Sequence, residues 1–148
     1  MTELSRERTV AAPAAQVWEL LADFGGLARW ASGVDHCCML RDTDGPPRVG
    51  SQRRVQIGRN AVLETINEFA PPLALGYTID GVPRRFSAAH RWVLHPRDDT
   101  TVVTVTCSVS TTTPLIRPVA ERALARHLAQ RCEALLQSLA RTTERIPS

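Results

Sequence analysis

Residues 12–30, APAAQVWELLADFGGLARW, begin as an amphipathic helix and break at two glycines, behind which the apolar spacing resumes at once. Pro13 suits the first turn of a helix, where its missing N–H costs nothing. Ala14, Val17, Trp18 and Leu21 follow at i, i+3, i+4 and i+7, a single apolar stripe. Asp23 closes that piece. Phe24, Leu27, Ala28 and Ala31 form a second short stripe past Gly25 and Gly26. The pattern predicts two short helices with a bend between them, one kinked core helix being the plainer alternative. Such a pair suits a plug in the mouth of a curved sheet, with a working space behind it.

Outward from this stretch, residues 3–11 (ELSRERTVA) read as a strand with mixed faces. From about residue 34 to 111 strands alternate with turn chemistry: Asp44-Gly45-Pro46-Pro47, Gly58-Arg59-Asn60, Ala70-Pro71-Pro72, Asp80-Gly81 and Pro96-Arg97-Asp98-Asp99. The short intervals are those of hairpins, so an antiparallel sheet is expected. Leu73, Leu75, Tyr77 and Ile79 alternate onto one face, as do Phe86, Ala88, His90, Trp92 and Leu94, and Val103, Val105, Cys107 and Val109. Arg85, Ser87, Arg91, Thr104, Thr106 and Ser108 fall on the other face. One side is therefore wet and the other covered. The cover is the last segment, whose start Pro114 and Pro118 bracket. Leu124, Leu128, Leu135 and Leu139 recur there with Ala120, Ala125 and Cys132 between them, and Glu121, Arg122, Arg126, Arg131 and Glu133 lie off the stripe. A helix of about 25 residues spans roughly 37 Å, enough to cross a domain.

The totals fit one domain: 148 residues are enough to bury roughly 70% of the unfolded chain's surface, with no metal or disulfide needed. The opening MTELSRERTV is too charged for a signal peptide, and no apolar run reaches the ~18 residues of a membrane span. The reading is a soluble cytoplasmic protein without stable membrane insertion. Net charge is +3, and all 18 basic residues are arginine. They are scattered, and only seven side chains are aromatic, so the concentrated basic face of a nucleic-acid binder is missing. Cys37, Cys38, Cys107 and Cys132 include no C-x-x-C pair, and Cys37 and Cys38 point to opposite faces of a strand; free thiols are expected and no metal site. His90 and His95 likewise face opposite ways. Glycine loops for phosphate, nucleophile elbows and zinc-protease motifs are absent from the sequence.

Strand parity singles out two charges. A tight turn at Gly58–Asn60 makes residues whose numbers sum to about 117 face each other, pairing Val55 with Val62, Ser51 with Ile66, and Arg53 with Glu64. Val49, Ser51, Arg53, Val55 and Ile57 share a face that is otherwise apolar or small, while Arg54 and Gln56 take the polar one. Arg53 and Glu64 are thus expected on the covered side, about 5 Å apart at Cβ. Burying an ion pair usually returns little stability, so the pair is a candidate site. Arg53 could orient an oxyanion or carboxylate, and Glu64 could move a proton, with His90 and Tyr77 as hydrogen-bonding partners. A structural cross-strand pair is the plainer alternative.

The order strand, two short helices, six strands and one long helix, with APAAQVWELLADFGGLARWASGV, VGSQRR, LETINEFAPPLALGYTIDG and TTVVTVTCSVS, resembles the START-related (SRPBCC) superfamily, in particular its polyketide cyclase/dehydrase-like branch. V-W-x-L-L-x-D-F-x-x-L-x-x-W is the most specific piece. The resemblance implies an α+β helix-grip fold: a curved seven-stranded antiparallel sheet wrapped around a long C-terminal helix, two short helices after the first strand, and a cavity between sheet and helix. Gly50 with Arg53 and Glu64 with Pro71 also match the spacing of the catalytic arginine and glutamate in a plant isomerase of this branch, lachrymatory factor synthase. The function expected from the resemblance is binding of a small, mostly apolar molecule such as a lipid or polyketide. Trp18, Phe24, Leu27 and Trp30 from the plug would help to line the cavity. Ser51, Val55, Ile66, Tyr77, Phe86, His90 and Trp92 would line it from the strands. The alternative is a cyclase, dehydratase or isomerase using Arg53 and Glu64 without metal or redox cofactor; a regulatory module that reports its ligand through movement of the plug is a third.

Overall fold

The computed structural model describes residues 1–41, 45–81, 86–111 and 118–145. Strand β1 (Thr2–Val10) leads into helix α1 (Ala14–Ala22) and a short 3-10 helix (Phe24–Arg29). Six strands follow: β2 (His36–Arg41), β3 (Gln52–Ile57), β4 (Asn60–Ala70), β5 (Ala74–Asp80), β6 (Phe86–Arg97) and β7 (Thr100–Thr111). Helix α2 (Pro118–Glu144) comes last. The strands form one antiparallel sheet in the order β1-β7-β6-β5-β4-β3-β2, so every neighbour except β1–β7 is a hairpin neighbour. This is the helix-grip arrangement, with α2 lying against β1 and β7 and the 3-10 helix against β2.

Alternation decides what is buried. On β7, Thr101, Val103, Val105, Cys107 and Val109 are sealed while their neighbours are half-exposed, and β6 repeats this with Ala88, His90, Trp92 and Leu94. Burial of these apolar side chains against α2 is the main favourable contribution, about 25 cal/mol per Å² removed from water. The break after α1 is real: Asp23 N–H still bonds Glu19 O, but Gly26 departs from helical geometry and the chain tightens into 3-10 turns. Pro13 sits one position earlier than expected, as the N-cap, with an extended ψ of 152°.

Several expected faces shift. The buried stripe of α2 runs through Ala125, Leu128, Ala129, Cys132, Leu136, Leu139 and Ala140. It is rotated from the expected one, leaving Leu124 and Leu135 half-buried and Ala120 exposed. Glu121 is buried rather than off the stripe, because its Oε1 accepts the Thr2 hydroxyl at 2.6 Å and meets the N-terminal amine at 3.4 Å. Leu73 and Val49 are exposed because β5 and β3 begin only after them, so strand parity does not reach them; Ala28 is exposed on the outer side of the 3-10 helix. Asp44, Arg85 and Pro114 lie outside the described residues. All four cysteines are free, and no described helix is long and apolar enough to cross a membrane.

Candidate functional site

The β3–β4 hairpin sets the site's register. Its turn holds Gly58 at φ +60°, a left-handed value that glycine adopts without penalty, and the resulting pairs are Val55 with Val62 and Arg53 with Glu64. A slip of β4 by one residue would turn Glu64 outward. Arg53 is 3% and Glu64 6% exposed. The Arg53 Nε donates to Glu64 Oε1 at 2.7 Å, and a terminal nitrogen lies 2.6 Å from the same oxygen. The other terminal nitrogen donates to Phe24 O at 2.9 Å. The guanidinium also sits 3.8 Å from the centre of the Phe24 ring and 4.9 Å from that of Tyr77. Burial pulls its pKa down most strongly, but Glu64, Tyr77 and Cys37 together outweigh it, and the net direction is up. Arg53 thereby ties the 3-10 helix to β3 and β4.

Glu64 Oε2 accepts no hydrogen bond among the described residues, and Glu64 lines a cavity. The cavity measures about 250 Å³ and lies between the sheet and α2. Val55, Ile57, Val62 and Ile79 line it from the strands, Leu27 and Val34 from the plug side, and Leu128, Ala134 and Leu135 from α2. Glu64, Tyr77, His90 and Arg131 are its inner polar groups, with Ser32 and Asn60 also on its wall. A dry cavity of about 150 Å³ accommodates benzene, so this one has room for a substituted or fused aromatic ring.

A hydrogen-bonded chain runs beside Glu64. Trp92 Nε1, which can only donate, reaches Tyr77 Oη at 3.1 Å, and that hydroxyl lies 3.1 Å from His90 Nδ1. With the phenol oxygen accepting from Trp92, its own proton is available to donate to Nδ1. His90 Nε2 is 3.4 Å from Cys132 Sγ. Burial, then the charge of Glu64, pushes the Tyr77 phenol far above its ordinary range, so it stays a donor. The Cys107 and Cys132 thiols share a hydrogen bond that draws Cys107 down and pushes Cys132 up.

The structure brings Leu27, Val55, Glu64, Tyr77 and His90 together on the cavity wall. Arg53, Trp30 and Trp92 instead border a void of about 10 Å³ behind Tyr77, room for about one water. Phe24 covers Arg53, and Ile66 is core. Ser51 closes the turn into β3, its Oγ accepting from Arg48 N–H at 3.0 Å. Trp18 packs on Phe69 with ring centres 5.5 Å apart, and Phe86 is half-buried at the start of β6; neither borders the cavity. Arg131, expected on the outer face of α2, is half-buried on the cavity wall. Its spacing from Leu128 (i+3) and to Leu135 (i+4) carries the signal.

An antiparallel sheet with one long helix across it over a mainly apolar cavity defines a START-like fold. The sequence matches the polyketide cyclase/dehydrase and lipid transport family over residues 1–144, and the chain belongs to that family. Its structure is similar to that of the Zhui aromatase/cyclase from Streptomyces sp. R1128, with TM-score 0.80 and 20% identity over 97% of this chain and 94% of that one. A START superfamily protein from Mycobacterium smegmatis is similar at TM-score 0.76 and 20% identity, covering 98% and 99% of the two chains. A protein from Thermobifida fusca, solved by solution NMR, is similar at TM-score 0.78 and 27% identity, covering 98% and 95%. No curated protein matches the sequence.

Proposed function

We propose that the chain binds a small, mostly apolar molecule in the cavity between the sheet and α2, with Glu64 meeting the ligand's polar group. The observation that carries this is a carboxylate, held through one oxygen by Arg53, on the wall of an otherwise mainly apolar space. Sites of this composition take ligands by apolar contact and orient them through a few polar groups. Melting-temperature shifts across a panel of fatty acids, flavonoids and small aromatic polyketides test the reading. A ligand at a hundredfold its Kd stabilises by about 2.7 kcal/mol, or roughly 8 °C for a chain of this size. A panel in which no apolar class shifts the melting temperature contradicts it.

A second reading is favoured by the same free oxygen: a cyclase, dehydratase or isomerase in which Glu64 takes a proton from bound substrate. Arg53 then acts through Glu64 as a positioning residue, because each of its three guanidinium nitrogens already contacts Glu64 or Phe24. Glu64→Gln keeps the shape and removes the base. Full turnover of an identified substrate by that variant refutes the catalytic reading while leaving binding intact.

A further inference from the structure

We propose that Arg131 makes the cavity selective for an amphipathic monoanion, a small apolar molecule carrying one carboxylate; this rests on the binding function proposed above. The first support is the balance of charge. Arg53 and Glu64 neutralise one another at 2.6–2.7 Å, which leaves Arg131 as the unbalanced charge on the cavity wall. Among the described residues no acceptor hydrogen-bonds Arg131, whereas the exposed Arg91 is held by Glu68 at 2.7 Å.

The second support is where the guanidinium sits. Arg131 is half-buried on α2 between Leu128 and Leu135, both of which line the same cavity. Burial lowers its pKa from the ordinary arginine value, and the charge of Glu64 acts on it in the opposite direction. A partly desolvated cation without a bonded partner gains most from an anion delivered into the same space. The planar fork of arginine suits a carboxylate, which it grips through two parallel hydrogen bonds. One surplus positive charge beside a fixed carboxylate favours a monoanion over a dianion. The apolar lining selects the body of the molecule, and Glu64 Oε2 remains available to a hydroxyl on it.

The test is calorimetric titration at neutral pH with two probes of one shape, naphthalene-2-carboxylate and the neutral 2-naphthylmethanol, against wild type, Arg131→Gln and Arg131→Lys. Charged hydrogen bonds contribute about 1.5–3 kcal/mol, so wild type is expected to prefer the acid by roughly ten- to hundredfold. Arg131→Gln should bring the preference close to unity by weakening the acid alone, and Arg131→Lys should restore part of it. Equal binding of acid and alcohol by wild type, or an acid preference that survives Arg131→Gln, overturns the assignment and leaves the binding function standing. Binding of neither probe to wild type overturns the assignment together with an aromatic-ligand reading of the cavity.

Discussion

Replacing Arg53 by methionine would leave the Glu64 carboxylate buried, at 6% exposure, without either of its contacts at 2.6 and 2.7 Å. Removing one partner of a buried ion pair costs about 3–5 kcal/mol. The Phe24 carbonyl loses its arginine donor at 2.9 Å as well. A net loss of about 4 kcal/mol corresponds to a fall in melting temperature of roughly 13 °C for a domain of this size. The double replacement Arg53→Met/Glu64→Leu removes both charges and refills the space. Replacing a buried pair with packed apolar groups is often neutral, so only the Phe24 carbonyl should register, at about 1–2 kcal/mol. Urea titrations of wild type, both single variants and the double variant give the cycle. The single arginine variant should be at least 2 kcal/mol less stable than the double by this reasoning. An Arg53→Met variant within about 1 kcal/mol of wild type, or a double variant no more stable than it, would refute the picture of a desolvated pair.

Tyr77→Phe removes the link between Trp92 Nε1 and His90 Nδ1, leaving two buried groups without this partner; a loss of about 1–3 kcal/mol in urea melts is expected. Arg91→Ala removes the surface pair with Glu68, whose carboxyl is held below its usual pKa by hydrogen bonding to Arg91. A lowered folded-state pKa contributes stability above the unfolded value and loses it as pH falls. The variant should therefore trail wild type by about 0.2–1 kcal/mol at pH 7 and converge with it well below pH 4. Ala134→Trp, at an exposed position on the cavity wall, should weaken any cavity ligand at least tenfold while stability stays within about 0.5 kcal/mol. Calorimetry and melting temperatures read both effects.

Much of the architecture is carried by alternation and by turn residues at Gly58, Pro71 and Asp98, and at Gly58 the hairpin register comes from counting. The pairing of Arg53 with Glu64 is the clearest case. Parity assigns a face but does not say where a side chain ends: Arg53 reaches onto Phe24 and borders the small void behind Tyr77, not the larger cavity that Glu64 lines. Parity also fails beyond a strand's end, which is why Leu73 and Val49, one and three residues ahead of their strands, are exposed against expectation. On α2, a helix lying across a hollow sheet has two different inner aspects, one packed and one bordering the cavity. Leucine spacing merges them, and so hides both Leu136 in the core and Arg131 on the wall.

The most direct check of a working cavity is an isotope-filtered NOE experiment on protein with labelled methyl groups, saturated with a small aromatic ligand. The account predicts ligand contacts to Val55, Val62, Leu128 and Leu135 together, four residues from both walls of one space. Contacts confined to exposed side chains such as Leu40 or Val119, with those four methyls silent, would contradict it.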